Sequence, residues 1–508
     1  MGQSKTPSFV VEIPLRLTSA QEPLLLARLE AARQVYNACL GESLKRLGLL
    51  RQSKAYQVAR RLPKGKPRSE AFRKANSAVG FREYDLHAYA RQFNHSWLGE
   101  HLDINTIQKL ATRAFQAVQQ YAFGKRGRPR FKGPNQMDSV EGKSNTSGIR
   151  WRETRVEWLG LTLEAIIDPD DPVIAHGLEA RVKYVRLVRR KLNGRSRFYV
   201  QLVCEGQPYQ KPQNQPGEGI VGLDIGPSTI AAVSEREAFL EPFCAKVVAR
   251  RSEIRRLQRR IDRQRRANNP SNYDADGTVR RGPKAWRKSS RQRRTETKLA
   301  EMRRKQAAQR KSLHGSMANR VLRMGDVIQM ERLSYRAFQR QFGRSVGMRA
   351  PGMFVQHLKR KAESAGVEVN EFPTRTTRLS QTCHGCGTVE KKPLSQRWHV
   401  CDCGVVAQRD LYSAFLAACV EGERLNADRA QAAWSGVDAL LQAALSRIEQ
   451  PASGRLLPSS FGLSGQRQSR SPVQAGVNVS EAQDVVPPLL QAVGELERAH
   501  WIARTPRL

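Results

Sequence analysis

Three carboxylates, far apart in sequence, sit in apolar settings. Asp224 lies inside Gly219-Ile220-Val221-Gly222-Leu223-Asp224-Ile225-Gly226, Glu331 closes Val327-Ile328-Gln329-Met330, and Asp410 opens Leu411-Tyr412-Ser413-Ala414-Phe415-Leu416. An isolated carboxylate in such surroundings costs several kcal/mol, roughly, unless a partner or metal compensates it. Two divalent cations about 3.5–4 Å apart need bridging carboxylates, and such a site cleaves phosphodiesters. Taken singly, each acid reads equally well as a helix cap or half of a salt bridge. Gly222 and Gly226 flank Asp224, which marks a close backbone approach or a tight turn.

Asp on a first strand, Glu at the end of a later strand and Asp on a last helix is the order of a ribonuclease H-like fold. A second constellation precedes Asp410: Cys383-His384-Gly385-Cys386-Gly387, then Cys401-Asp402-Cys403-Gly404. Four thiolates at these spacings suit tetrahedral zinc. A glycine after each pair permits the tight turn. The second pair is short, so His384 or His399 is an alternative ligand. Cys39, Cys204, Cys244 and Cys419 lie in apolar stretches and read as packing residues.

The elements that must hold these groups are partly legible. Phe9, Val11, Ile13, Leu15 and Leu17 alternate as in a strand. Ser19 and Glu22 read as a capping box opening a helix through Leu26, Leu29, Val35 and Tyr36. A further helix is expected around Ile107 to Tyr121. Arg181 to Glu205 reads as a hairpin about Asn193-Gly194, and with the N-terminal strand it predicts a small β-barrel. A helix is expected from Val420 through Ile448. Pro451 to Pro488 is rich in Ser, Gly, Gln and Pro and reads as disordered.

The chain carries 87 Lys+Arg against 47 Asp+Glu, a net charge of +40, which calls for a polyanion. Residues 246 to 320 hold 25 cations and 6 anions, a net +19. Ile254, Leu257 and Ile261 recur there at helical spacing, so two basic helices are expected on either side of Asn268-Asn269-Pro270-Ser271. Arg255, Arg256, Arg259 and Arg260 are the expected phosphate contacts. Lys125, Arg126, Arg128, Arg130 and Lys132 surround Phe131 in a Gly/Pro-broken loop suited to gripping a nucleic-acid backbone. No window is apolar enough to span a membrane, and the start lacks the apolar core of a secretory signal. With clustered cysteines, this predicts a cytoplasmic, nucleoid-associated protein.

Gly222-Leu223-Asp224-Ile225-Gly226, Glu331-Arg332-Leu333, Ser380-Gln381-Thr382-Cys383-His384-Gly385-Cys386-Gly387 and Arg409-Asp410 together resemble the TnpB family. These are transposon-associated RNA-guided nucleases related to the compact type V CRISPR effectors. Tyr36-Asn37 and the loop 127–133 share the resemblance. It implies an α+β multidomain chain: a wedge β-barrel strand in 1–20, a helical recognition lobe over 21–135 and the remaining barrel over 136–210. A RuvC-like nuclease would follow over 218–380 with the basic insertion 246–320. A zinc-binding segment would cover 381–407, the final nuclease motif and helix 408–448, and a disordered tail 449–508. It also implies magnesium or manganese on Asp224, Glu331 and Asp410, and zinc on Cys383, Cys386, Cys401 and Cys403. The implied partners are a guide RNA and double-stranded target DNA with a short adjacent motif, bound by a monomer or by a dimer on one RNA.

Two positions depart from the family pattern. The second cysteine pair is usually C-x2-C, and the last motif is commonly Asp-x-Asn-Ala-Ala where this chain has Asp410-Leu411-Tyr412-Ser413-Ala414. The leading expectation is a magnesium-dependent, RNA-guided DNA endonuclease. A guide-dependent DNA-binding repressor and a strand-transferring transposase are the competing readings.

Overall fold

The alternation from Phe9 to Leu15 buries one side of β1 (Ser8–Arg16), the middle strand of its sheet. The computed structural model describes residues 6–393, 395–449 and 461. After β1 the chain forms α1 (Gln21–Gln52), α2 (Lys54–Arg61), α3 (Lys66–Ala78), α4 (Glu83–Ala90) and α5 (Ile104–Ala122). It then returns through β2 (Ser139–Glu141), β3 (Arg150–Arg152), β4 (Arg155–Trp158), β5 (Leu161–Ala165) and α6 (Pro172–Glu179). The hairpin β6 (Val182–Leu192) and β7 (Arg195–Glu205) completes this half. The strand order is β2-β6-β7-β1-β5-β4-β3, antiparallel throughout. The expected barrel is therefore a curled seven-stranded sheet; its end strands β2 and β3 share no ladder among the described residues.

The β6–β7 turn is the expected one. Asn193 and Gly194 have φ of 51° and 81°, the two left-handed residues that a two-residue hairpin turn needs. The capping box lies one residue earlier than the sequence suggested. Thr18 and Gln21 exchange N–H bonds with each other's side chains, and Ser19 plays no part. The helices pack on the sheet through one core that includes Leu25, Leu29 and Val35 of α1 and Ile107, Leu110 and Phe115 of α5.

The second half opens with β8 (Ile220–Ile225), β9 (Thr229–Val233) and β10 (Ala238–Pro242). Two long helices follow, α7 (Arg251–Asn268) and α8 (Ser290–Met324), joined by residues 269–289, a longer break than expected. Asn269 orders that break by bonding to the backbone of Arg265 and Arg287. Ile254, Leu257 and Ile261 do pack inward, against Leu299 and Met302 of α8. The chain continues through β11 (Val327–Glu331), α9 (Tyr335–Arg349), α10 (Pro351–Ala365), β12 (Glu368–Phe372), α11 (Thr374–Thr377), β13 (Trp398–Val400), β14 (Val406–Gln408) and α12 (Arg409–Ala418). The helix expected from Val420 starts later. Residues β15 (Val420–Glu421) and β16 (Arg424–Leu425) make a hairpin turned at Gly422, where φ is 61°. Asn426 then bonds the Arg429 N–H as α13 (Ala427–Glu449) begins. The expected disordered tail beyond Glu449 lies, Phe461 apart, outside the described residues.

The second sheet runs β10-β9-β8-β11-β12, with β8, β11 and β12 mutually parallel and β9 and β10 antiparallel to their neighbours. The two-residue period of β8 sends Val221, Leu223 and Ile225 into a core with α8 and α10. Gly222 and Asp224 share the opposite face, where α12 lies. A side chain at Gly222 would collide with the Ala414 carbonyl and place its Cβ 2.5 Å from the Ala418 nitrogen, both α12 backbone. Backbone cannot swing aside as a side chain does. Gly222→Ala should therefore destabilise the protein by about 1–3 kcal/mol, the usual cost of overpacking. An unchanged urea midpoint would show that α12 is not held by this contact.

Candidate active site and cysteine cluster

The same face of the sheet carries the acids. Met330 of β11 pairs with Leu223 of β8, so Glu331 follows at the level of Asp224. Asp410 stands in the first turn of α12, where the helix N-terminus favours negative charge. The three side chains line one cavity of about 760 Å³. Asp410 is buried, and Asp224 and Glu331 are half-buried. Thr229 donates to Asp410 Oδ2 at 2.9 Å. The turn that brings Thr229 there needs Gly226, because a Cβ at that position would stand 2.8 Å from Thr229 Oγ1.

Burial, then the charges of Asp410 and Glu331, push the Asp224 carboxyl well above the ordinary range. Burial pushes Glu331 up to about 7. Burial also raises Asp410, against the Thr229 bond and the nearby Arg397 and Arg409. Crowded carboxylates that repel one another suit a divalent cation, whose charge would reverse all three shifts. Sequence reasoning missed the other walls. Arg397 and Arg409 stand beside the acids, and Phe338 and Phe342 of α9 line the same cavity. Arg409 was visible as the neighbour of Asp410; Arg397 and the α9 rings carried no signal, because only folding brings them in.

The four cysteines also converge. Their sulfurs all lie within 4.8 Å of one another. Cys383 Sγ is 3.5 Å from Cys403 Sγ, and Cys386 Sγ is 3.4 Å from Cys401 Sγ. Each pair closes on its glycine: Gly387 N–H donates to the Cys383 carbonyl and Gly404 N–H to that of Cys401, with φ of 72° and 94°. The short C-x-C pair thus completes a four-sulfur set, of the kind zinc takes. The histidines weighed as substitutes are engaged elsewhere. His384 Nδ1 is 2.8 Å from Tyr412 Oη, and His399 Nδ1 is 2.7 Å from Lys392 Nζ. Tyr412, the departure from the family motif, is buried, accepts the His384 N–H at 3.0 Å and stacks on His399. It ties α12 to the cysteine segment instead of lining the cavity, which Ser413 does. The other four cysteines are buried, as expected of packing residues.

The basic candidates lie apart from the acids in sequence and face outward. Arg255, Arg256, Arg259 and Arg260 are exposed on α7, and Lys125, Arg126, Arg128, Arg130 and Phe131 on the loop after α5. Lys132 differs: it is half-buried, with Nζ 5.6 Å from the centre of the Tyr36 ring. Asn37 clamps that residue's backbone, accepting the Lys132 N–H at 2.9 Å and donating to its carbonyl at 2.8 Å. The Tyr36-Asn37 and 127–133 motifs are therefore one contact.

Residues 352–416 match a family described as Cas12f1-like, TNB domain. That span holds the four cysteines and Asp410, and the match bears out the resemblance read from the motifs there. A comparison with curated proteins gives no match. Among solved structures, a Cas12f1–sgRNA–target DNA complex aligns at 10% identity and TM-score 0.41, over 81% of this chain and 98% of that one. A CRISPR–Cas12f ternary complex aligns at 12% identity and TM-score 0.26, over 78% and 82%. No helix among the described residues is long and apolar enough to cross a membrane.

The Glu331 shift has a consequence for stability. Between its ordinary 4.5 and about 7, the folded protein holds a proton that the unfolded chain has lost. Stability should therefore fall as pH rises through that window in chelator, and magnesium should offset the loss. Glu331→Gln should lose the component that falls between about 4.5 and 7. Urea midpoints that fall equally with pH in Glu331→Gln and the parent would assign the effect to other groups.

Proposed function

We propose that this chain is an RNA-guided DNA endonuclease of the compact type V kind, with a RuvC-like site built from Asp224, Glu331 and Asp410. The observation that carries the reading is the convergence of these acids, from β8, β11 and α12, on one cavity. The match of residues 352–416 to a Cas12f1-like domain supports it independently. The strand order β10-β9-β8-β11-β12, in which only β9 runs against the other four strands, supports a ribonuclease H-like reading of the sheet. Magnesium or manganese, when bound, supplies Lewis acidity for phosphodiester hydrolysis. Asp224 and Glu331 must give up protons to hold such ions, and Thr229 fixes the Asp410 carboxylate for the same task. Arg397 and Arg409 stand where a scissile phosphate would need neutralising.

A net charge of +40 with exposed arginines on α7 supports a guide RNA and target DNA as partners. The four cysteines would hold a structural zinc that fixes the approach to α12. A guide-dependent repressor remains the second reading, because Tyr412 stands where the family commonly has Asn. The burial of Tyr412 against His384 and His399 gives that change a structural role.

Asp224→Ala, Glu331→Ala and Asp410→Ala should each abolish magnesium-dependent cleavage and leave target binding within a few-fold. Undiminished cutting by Asp224→Ala would overturn the site, and a parent protein that binds but never cuts would establish the repressor. Elemental analysis should find one zinc per chain. Cys383→Ser with Cys386→Ser should remove it and slow cleavage, because Tyr412 would lose the segment that holds it. Protein purified without chelator and free of zinc would refute the assignment.

A further inference from the structure

A second cavity, of about 410 Å³, adjoins the first and shares Glu331 and Ser380 with it. Its remaining lining is Thr374, Arg375, Arg378 and Gln381. We propose that Arg375 and Arg378 hold a backbone phosphate of the substrate strand, next to the one that is cut. The proposal rests on the nuclease reading above and adds the side on which the strand runs.

Three observations carry it. Both arginines are exposed, and neither is ion-paired with a carboxylate among the described residues; Arg378 Nε reaches only the Arg375 carbonyl, at 3.3 Å. Two unneutralised guanidiniums lining a concave surface make an anion site through their charge. Second, Arg378 is set by its backbone. It ends α11 at φ 46° and ψ 38°, left-handed for a non-glycine residue. Its carbonyl accepts the N–H of Gln381 at 2.8 Å and the N–H and hydroxyl of Thr382 at 3.1 Å. Strain kept in place by such bonding is characteristic of functional sites. Third, the geometry is continuous. Glu331, the only acid lining this cavity, stands at its junction with the catalytic one. A strand with one phosphate among the three acids would then set a neighbouring phosphate against Arg375 and Arg378.

The test uses full-length protein loaded with guide RNA. Arg375→Gln with Arg378→Gln should slow cleavage of bound target about ten- to a hundredfold, with target affinity and zinc content unchanged. Arg375→Lys with Arg378→Lys should recover much of the rate, since the charge remains. Equal rates in the Gln variant and the parent would overturn the proposal, as would a Lys variant as slow as the Gln one. A readout independent of cutting separates this proposal from the nuclease reading. In an Asp224→Ala background, the log–log salt slope for a short single-stranded oligonucleotide should become shallower by about 0.7 when both arginines are Gln, the amount for one phosphate no longer neutralised. An unchanged slope would overturn the phosphate site even if the parent cuts. A changed slope would support it even if the parent does not.

Discussion

The closeness of α12 to β8 governs the rest of this half of the molecule. Asp410 can face Asp224 only if the helix backbone comes nearer to the strand than a methyl group would permit, and Gly222 grants that distance. The period of the strand then does two jobs. Val221, Leu223 and Ile225 anchor the sheet to α8 and α10 on one side, and Gly222 and Asp224 serve the site on the other. The site is thus the polar face of a strand whose apolar face is the core, and the electrostatic cost of grouping three acids is carried by that packing.

α12 is held from a second direction. Tyr412 leaves the helix toward the cysteine segment, where it bonds His384, stacks on His399 and meets Trp434 of α13 edge-on, with ring centres 5.9 Å apart. Gln408 caps the helix by accepting the Leu411 N–H, and Arg409 donates to the Pro393 carbonyl. The helix that carries the last acid is therefore gripped by glycine contact on one side and by aromatic stacking on the other. A buried hydroxyl in that stack is satisfied, as a buried polar atom must be.

Much of this was legible in sequence because it rests on local rules. Asn193-Gly194 names its own turn, the alternation of β1 names its buried face, and Cys-x2-Cys with a following glycine names a knuckle. The acids were legible because charge in an apolar run is costly enough to need a reason. What sequence hid depends on contacts between distant segments. The sheet holding β1 is completed by strands whose lengths of three to five residues give little periodicity. The capping box moved to Thr18 and Gln21 because two adjacent frames both satisfied the pattern, and only the geometry of the turn chose between them. Arg397 reaches the acids through the cysteine segment, and no spacing rule foretells that.

The α7–α8 hairpin has a further consequence. Its apolar seam is small, three buried residues with Ile254 and Ile261 beside them, and it crosses a segment with net charge +19. Like charges along the two helices push them apart, and dissolved salt mutes that push. The same salt weakens the attraction of the hairpin for phosphates. Ionic strength therefore acts on this element with opposite signs, firming the bare hairpin while weakening its pull on a polyanion. Dilute buffer does the reverse, and a polyanion there replaces the missing counterions as the agent that keeps the two helices together.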